Sequence, residues 1–131
     1  MRGRLLAAAA VLAVGFTAAA RPALVVGEDS SRRILLWHGQ SGEIRFLHSV
    51  TDRPVTIRFR LGRRFEAFSV ATDPLTESTY TAGVYLWNDR VGEEQTELLR
   101  LCSLRGIDLR LGSHELHIAG GCLEVRLLWT L

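Results

Sequence analysis

Alternation of apolar and polar residues with a period of two runs through most of this chain. It is clearest in residues 43–50, 55–61, 107–111 and 123–129, where every second side chain is apolar except for His48. Period two is the pattern of a β-strand with one buried face, whereas an amphipathic helix repeats every 3.6 residues. Further strands are predicted at residues 34–37, 65–71, 80–87, 98–102 and 115–118.

Turn-forming residues separate these segments, among them GQSGE at 39–43, TDRP at 51–54 and AGG at 119–121. The segments DPLTEST (73–79) and GEEQTELL (92–99) each accommodate one helical turn but sustain no apolar stripe. About eight or nine short, closely spaced strands predict an all-β fold, a small antiparallel β-sandwich or barrel.

The N-terminus has the three parts of a secretory signal peptide. MRGR is basic, residues 5–16 are mostly apolar, and TAAA supplies small residues before Arg21 and Pro22. The run from Leu5 to Ala20 is shorter than the roughly 20 residues that cross a bilayer as a helix. We expect cleavage after Ala20, leaving a single all-β domain at 21–131, periplasmic or secreted, with no stable membrane span.

Export removes the chain's apparent basicity. All 16 basic residues are arginine, and loss of Arg2 and Arg4 leaves 14 of them against 14 acidic residues. With no net positive charge, we expect no nucleic-acid partner. No clear metal-ligand spacing occurs: His114 and His117 are an odd number of positions apart, so on a strand they point to opposite faces. We expect no metal and no cofactor.

Two cysteines remain, Cys102 and Cys122. In an oxidising compartment a disulfide between them would close a loop of about 20 residues and stabilise the fold by roughly 3 kcal/mol. Two small buried thiols are the alternative, since the sequence cannot orient the side chains.

The stretch FLHSVTDRPV (46–55) predicts a β-hairpin. A four-residue loop at 51–54 would pair Phe46 with Phe59 and His48 with Ile57 on an apolar face, and Arg45 with Arg60 on the other face. We expect Phe46, Val55 and Phe59 to be buried.

His48 and Ser49 are not predicted to be catalytic. Adjacent strand residues point to opposite faces, and a serine nucleophile needs its base within hydrogen-bond reach. His48 is interpreted as a hydrogen-bonded core histidine. Arginines on the other face, Arg58 and Arg60, together with Arg53 in the turn, are the candidate binding residues, because guanidinium groups suit carboxylates. A merely solvated strand is the alternative.

The motif HSVxxxPV, with His48, Ser49, Val50, Pro54 and Val55, is followed by the strand TIRFRL and by TYTAG, which ends at Gly83. In this the chain resembles a bacterial secreted family catalogued as domain of unknown function 1850. The resemblance implies an exported protein encoded beside TAXI-type TRAP transporters, with a transporter component or a carboxylate solute as partner. Where that family commonly has an acid, this chain has Ile57.

We therefore expect a non-enzymatic exported β-domain, an accessory or binding partner of a TRAP-type solute uptake system. A small secreted hydrolase and a structural envelope protein are the alternatives. Two convergent titratable side chains in a concave pocket would favour the hydrolase, and a flat surface would favour the structural protein.

Overall fold

The computed structural model describes residues 20–81 and 88–128, with Asp89 described by its backbone alone. Nine strands and two short helices lie in these ranges. In chain order they are β1 (Ala20–Val26), β2 (Ser31–Trp37), β3 (Ser41–Leu47), β4 (Pro54–Leu61), β5 (Phe65–Ala71), α1 (Pro74–Thr81), α2 (Asn88–Val91), β6 (Leu98–Ser103), β7 (Ile107–Leu111), β8 (His114–Ile118) and β9 (Gly121–Leu127).

The strands form two antiparallel sheets that pack on a shared core. One sheet has the order β2-β1-β9-β6 and the other β5-β4-β3-β7-β8. The predicted all-β fold is confirmed, and it is a small sandwich. Among the described residues, no helix is long and apolar enough to cross a bilayer.

Period-two alternation builds the core, because each strand turns every second side chain inward. Phe46, Val55 and Phe59 are all buried, as predicted. Gly42 also faces this core, where a Cβ would lie 2.3 Å from the Phe59 ring. The backbone of β3 can therefore approach that ring only because residue 42 has no side chain.

The predicted register of the β3–β4 hairpin is wrong. Phe46 pairs with Val55, Ile44 with Ile57 and Arg45 with Thr56, so β4 is displaced by four residues from the expected pairing. The cause is a six-residue turn at 48–53, closed by hydrogen bonds from His48 N to Arg53 O and from Asp52 N to His48 O. A shift by an even number leaves each side chain on its predicted face. It also removes the unfavourable pairing of Arg45 with Arg60.

The structure differs from the predicted elements in two other places. Strand β1 was not predicted, although it is central in its sheet. Conversely, Tyr80 and Thr81, expected to begin a strand, end helix α1. That helix starts after Asp73, whose Oδ1 accepts a hydrogen bond from Thr76 N, with Pro74 as its first residue. This combination of cap and proline favours a helix start. The remainder of the expected strand, with Gly83, lies outside the described residues, as does most of the predicted signal peptide.

Candidate functional site

The outer face of the five-stranded sheet carries rows of opposite charges. Strand β3 lies between β4 and β7, and Glu43 of β3 is directly opposite Arg58 on one side and Arg110 on the other. Arg45 lies two residues further along β3, so it shares this face. The pairing of these three strands brings their arginines to one carboxylate, although Arg110 is 67 residues from Glu43 in the sequence.

Three arginines converge on Glu43, and we call Arg45, Arg58 and Arg110 the arginine cluster. Arg58 Nε donates to Glu43 Oε2 at 3.2 Å, Arg110 Nη2 lies 3.4 Å from the same oxygen, and Arg45 Nε contacts Oε1. The arginine side chains are 58–62 % exposed, whereas Glu43 is only 8 % exposed. Glu43 is therefore covered by the guanidinium groups it holds.

The charge of Glu43 is fixed by its neighbours. Burial acts to raise the pKa of the Glu43 carboxyl, but the Arg58 hydrogen bond and the charges of Arg45 and Arg110 outweigh burial and hold that pKa below its ordinary value. The carboxyl is thus ionised at neutral pH. Around it, three guanidinium groups share this one carboxylate, and Asp108 and Glu115 lie beside them on the same face.

An open depression of about 380 Å³ adjoins the cluster, and Asp108, Glu115 and His117 line it together with Arg45 and Arg110. His117 Nδ1 forms a hydrogen bond with Asp108 Oδ1, and both side chains are 66 % exposed. Two titratable groups do converge here, as the hydrolase alternative requires. The described lining, however, includes no serine, threonine or cysteine to act as a nucleophile.

The predicted binding residues are not all in one place. Arg58 belongs to the arginine cluster. Arg60 shares its face but lies 3.7 Å from Glu66 of β5, and Arg53 is in the turn, where its charge acts on Asp73. Sequence reasoning missed Arg45 and Arg110. Alternation does place Arg45 on the correct face, but no local signal places β7, and therefore Arg110, beside β3.

His48 is the first residue of the 48–53 turn rather than a partner of Ile57. It is 7 % exposed, and its Nδ1 accepts a hydrogen bond from Thr51 N at 3.2 Å. The Thr51 hydroxyl continues to Thr76 Oγ1 at 2.7 Å, and Thr76 Oγ1 donates to Asp73 Oδ2 at 2.8 Å. His48 therefore begins a chain of hydrogen bonds that joins the turn to helix α1.

The protons of this chain can be assigned from donor and acceptor capacity. An ionised carboxylate only accepts, so the Thr76 hydroxyl donates to Asp73 and the Thr51 hydroxyl donates to Thr76. His48 Nδ1 lies 3.2 Å from both Thr51 N and Thr51 Oγ1, and it accepts the backbone N–H in the tautomer that carries its proton on Nε2. The ring of Tyr80 packs edge-on against the same imidazole, with the two ring centroids 4.9 Å apart.

Cys102 and Cys122 form a disulfide between directly opposite positions of β6 and β9. His114 and His117 point to opposite faces of β8, as expected. His114 Nε2 contacts Leu35 O, and His117 contacts Asp108. Within residues 20–81 and 88–128, no group of three or more His, Cys, Asp or Glu side chains is arranged to hold a metal ion.

Comparison with protein-family models, curated proteins and solved structures found no significant match to this chain.

Proposed function

We propose that this protein is an exported, non-enzymatic β-sandwich domain that binds an acidic protein partner through the arginine cluster. The observation that carries the proposal is the convergence of three exposed guanidinium groups on one covered carboxylate. Each guanidinium has five N–H donors. In the part of the chain that the structure describes, the only acceptor of the arginine cluster is Glu43.

Pairing with the arginines offsets the cost of burying the charge of Glu43, but one carboxylate cannot occupy all the donors of three guanidinium groups. More than half of each arginine side chain remains exposed to a partner. A carboxylate from a partner could receive two parallel N–H bonds from one guanidinium, a stronger and more directional contact. Glu115 opposite Arg110 and Asp108 opposite Arg45 would reject a surface that is acidic throughout, and thus add selectivity.

The resemblance noted above suggests the partner's identity, a component of a TRAP-type solute uptake system outside the cytoplasm. The disulfide is compatible with the periplasm, since such bonds persist in oxidising compartments. A carboxylate solute would offer the arginine cluster the same chemistry as an acidic protein.

Pull-down of the tagged, exported protein from periplasm tests the proposal. The double variant Arg58→Gln with Arg110→Gln should reduce capture of an uptake component at least tenfold at a temperature where it is still folded, and it should also melt at a lower temperature because the covered Glu43 loses two of its partners. Arg100→Gln is the matched control, because Arg100 is 65 % exposed and pairs with Glu124 on the other sheet. We expect the control to capture normally.

Three results would overturn the proposal. The first is equal capture by the double variant and the wild type. The second is equal loss in the double variant and in Arg100→Gln, which would indicate a general charge effect. The third is calorimetry that shows binding of succinate and of no protein, with succinate binding lost in the double variant, which would identify a solute as the ligand.

A further inference from the structure

The described residues do not fill the space between the two sheets on one side. A cleft of about 250 Å³ lies between the two sheets, with Ile57, Phe68 and Val70 on one wall and Leu101 and Leu123 on the other. It opens between β5 and β6, each an edge strand of its sheet. An isolated β-bridge between Phe65 and Thr96 and an ion pair between Arg64 and Glu97 link the two borders of this opening.

Four side chains at core positions show the effect of the cleft. Ile57, Phe68, Val70 and Leu101 face the core but stay partly exposed, whereas Phe59 and Val55 on the same sheet are 3 % and 0 % exposed. Protein interiors are normally packed as densely as organic crystals. An open apolar space of this size in a small domain is therefore a place where further apolar atoms would be stabilised.

Helix α2 holds the entrance in place. Asn88 Oδ1 accepts from Val70 N at 2.7 Å, and Asn88 Nδ2 donates to Val70 O at 3.1 Å, so one side chain pairs with the free edge of β5 as a strand would. The same helix contributes Val91 to the lining, and Glu94 and Arg100 lie at the rim. The entrance is polar and the interior apolar.

We propose that this cleft binds the aliphatic chain of a single-chain amphiphile, with its polar end at the rim. Its walls are mostly aliphatic, it is open to solvent so that a polar group can remain in water, and the rim carries both signs of charge. An apolar cavity of about 150 Å³ accommodates the six carbons of benzene, so about 250 Å³ corresponds to a chain of about ten carbons.

Titration of the exported protein with a series of 1-alkanols from hexanol to tetradecanol tests the proposal, because a neutral head group isolates the contribution of the chain. Each added methylene should tighten binding about fourfold, the equivalent of about 0.8 kcal/mol, up to about ten carbons, and further carbons should add little. At ten times its dissociation constant, decanol should raise the melting temperature by about 5 °C. No binding, or affinity that keeps rising beyond twelve carbons, would overturn the proposal.

A variant that fills the cleft provides the second test. Val70→Phe should weaken decanol binding at least tenfold, and Val26→Phe, a partly exposed position on β1 away from the cleft, should not. If Val70→Phe fails to fold, Leu101→Phe fills the space from the opposite wall. Wild-type affinity in a folded cleft-filling variant would contradict the assignment. Because the arginine cluster is on the outer face, Arg58→Gln with Arg110→Gln should bind decanol normally, so this proposal and the proposed function can fail separately.

Discussion

Replacing Thr76 by Val should destabilise the protein by about 2 kcal/mol, although the two side chains have almost the same shape. Thr76 is fully buried, and its hydroxyl accepts from Thr51 and donates to Asp73. Valine can do neither, so Asp73 Oδ2 loses its donor and the Thr51 hydroxyl keeps only its 3.2 Å contact with His48 Nδ1. Leaving a buried polar group unpaired costs about 1–3 kcal/mol.

Thermal and urea unfolding, followed by circular dichroism, measure this cost. For a domain of this size, 2 kcal/mol corresponds to a fall of about 10 °C in melting temperature. Thr79→Val is the matched control on the same helix, because the exposed Thr79 hydroxyl only donates to Leu75 O, and it should cost less than about 0.5 kcal/mol. Equal effects of the two substitutions would refute the claim that the hydrogen-bond chain from His48 to Asp73 fixes α1 to the turn.

Three further predictions concern the core, the backbone and pH. Phe59→Ala should cost about 3–5 kcal/mol in urea unfolding because the ring is buried, and Phe68→Ala clearly less because that ring borders the open cleft; the reverse order would contradict the packing. Ala67→Gly should stabilise by about 0.5–1 kcal/mol, since Ala67 has φ 55° where β5 contains one extra residue, whereas Ala71→Gly should not. Stability should fall as the pH drops below about 4. The reasons are that hydrogen bonds from Thr76 lower the pKa of Asp73 and that the arginine cluster lowers the pKa of Glu43. A lowered folded pKa stabilises the ionised form above the unfolded pKa, and this stability is lost as the carboxyl protonates. Asp73→Asn, which still caps α1, should show a smaller acid loss, and an unchanged loss would exclude Asp73 as a source.

The sequence predicted the faces of the hairpin but not its pairing. Alternation is local, so Phe46 and Phe59 could be assigned to the core from their neighbours alone. Register instead depends on the length of the turn, and the turn is fixed by His48, Thr51 and the distant Thr76. A contact between residues 25 positions apart leaves no periodic signal.

The candidate site was predictable to the same extent. Arg58 could be placed on an exposed strand face because β4 alternates clearly. Its neighbours could not be placed, since Arg110 reaches Glu43 only through the pairing of β3 with β7, which non-local packing decides. The strand expected at Tyr80 and Thr81 failed for a related reason: the cap by Asp73 and the contact of Thr76 with the turn favour a helix there.

Site-specific photocrosslinking in living cells tests the central claim, that the arginine cluster is the binding surface, most directly. A photoreactive residue at Thr56, opposite Arg45 on this face, should give a crosslinked adduct with an uptake component in the periplasm. The same residue at Arg126, on the outer face of the other sheet, should give none. Adducts at Arg126 with none at Thr56, from equally expressed and folded proteins, would contradict the account.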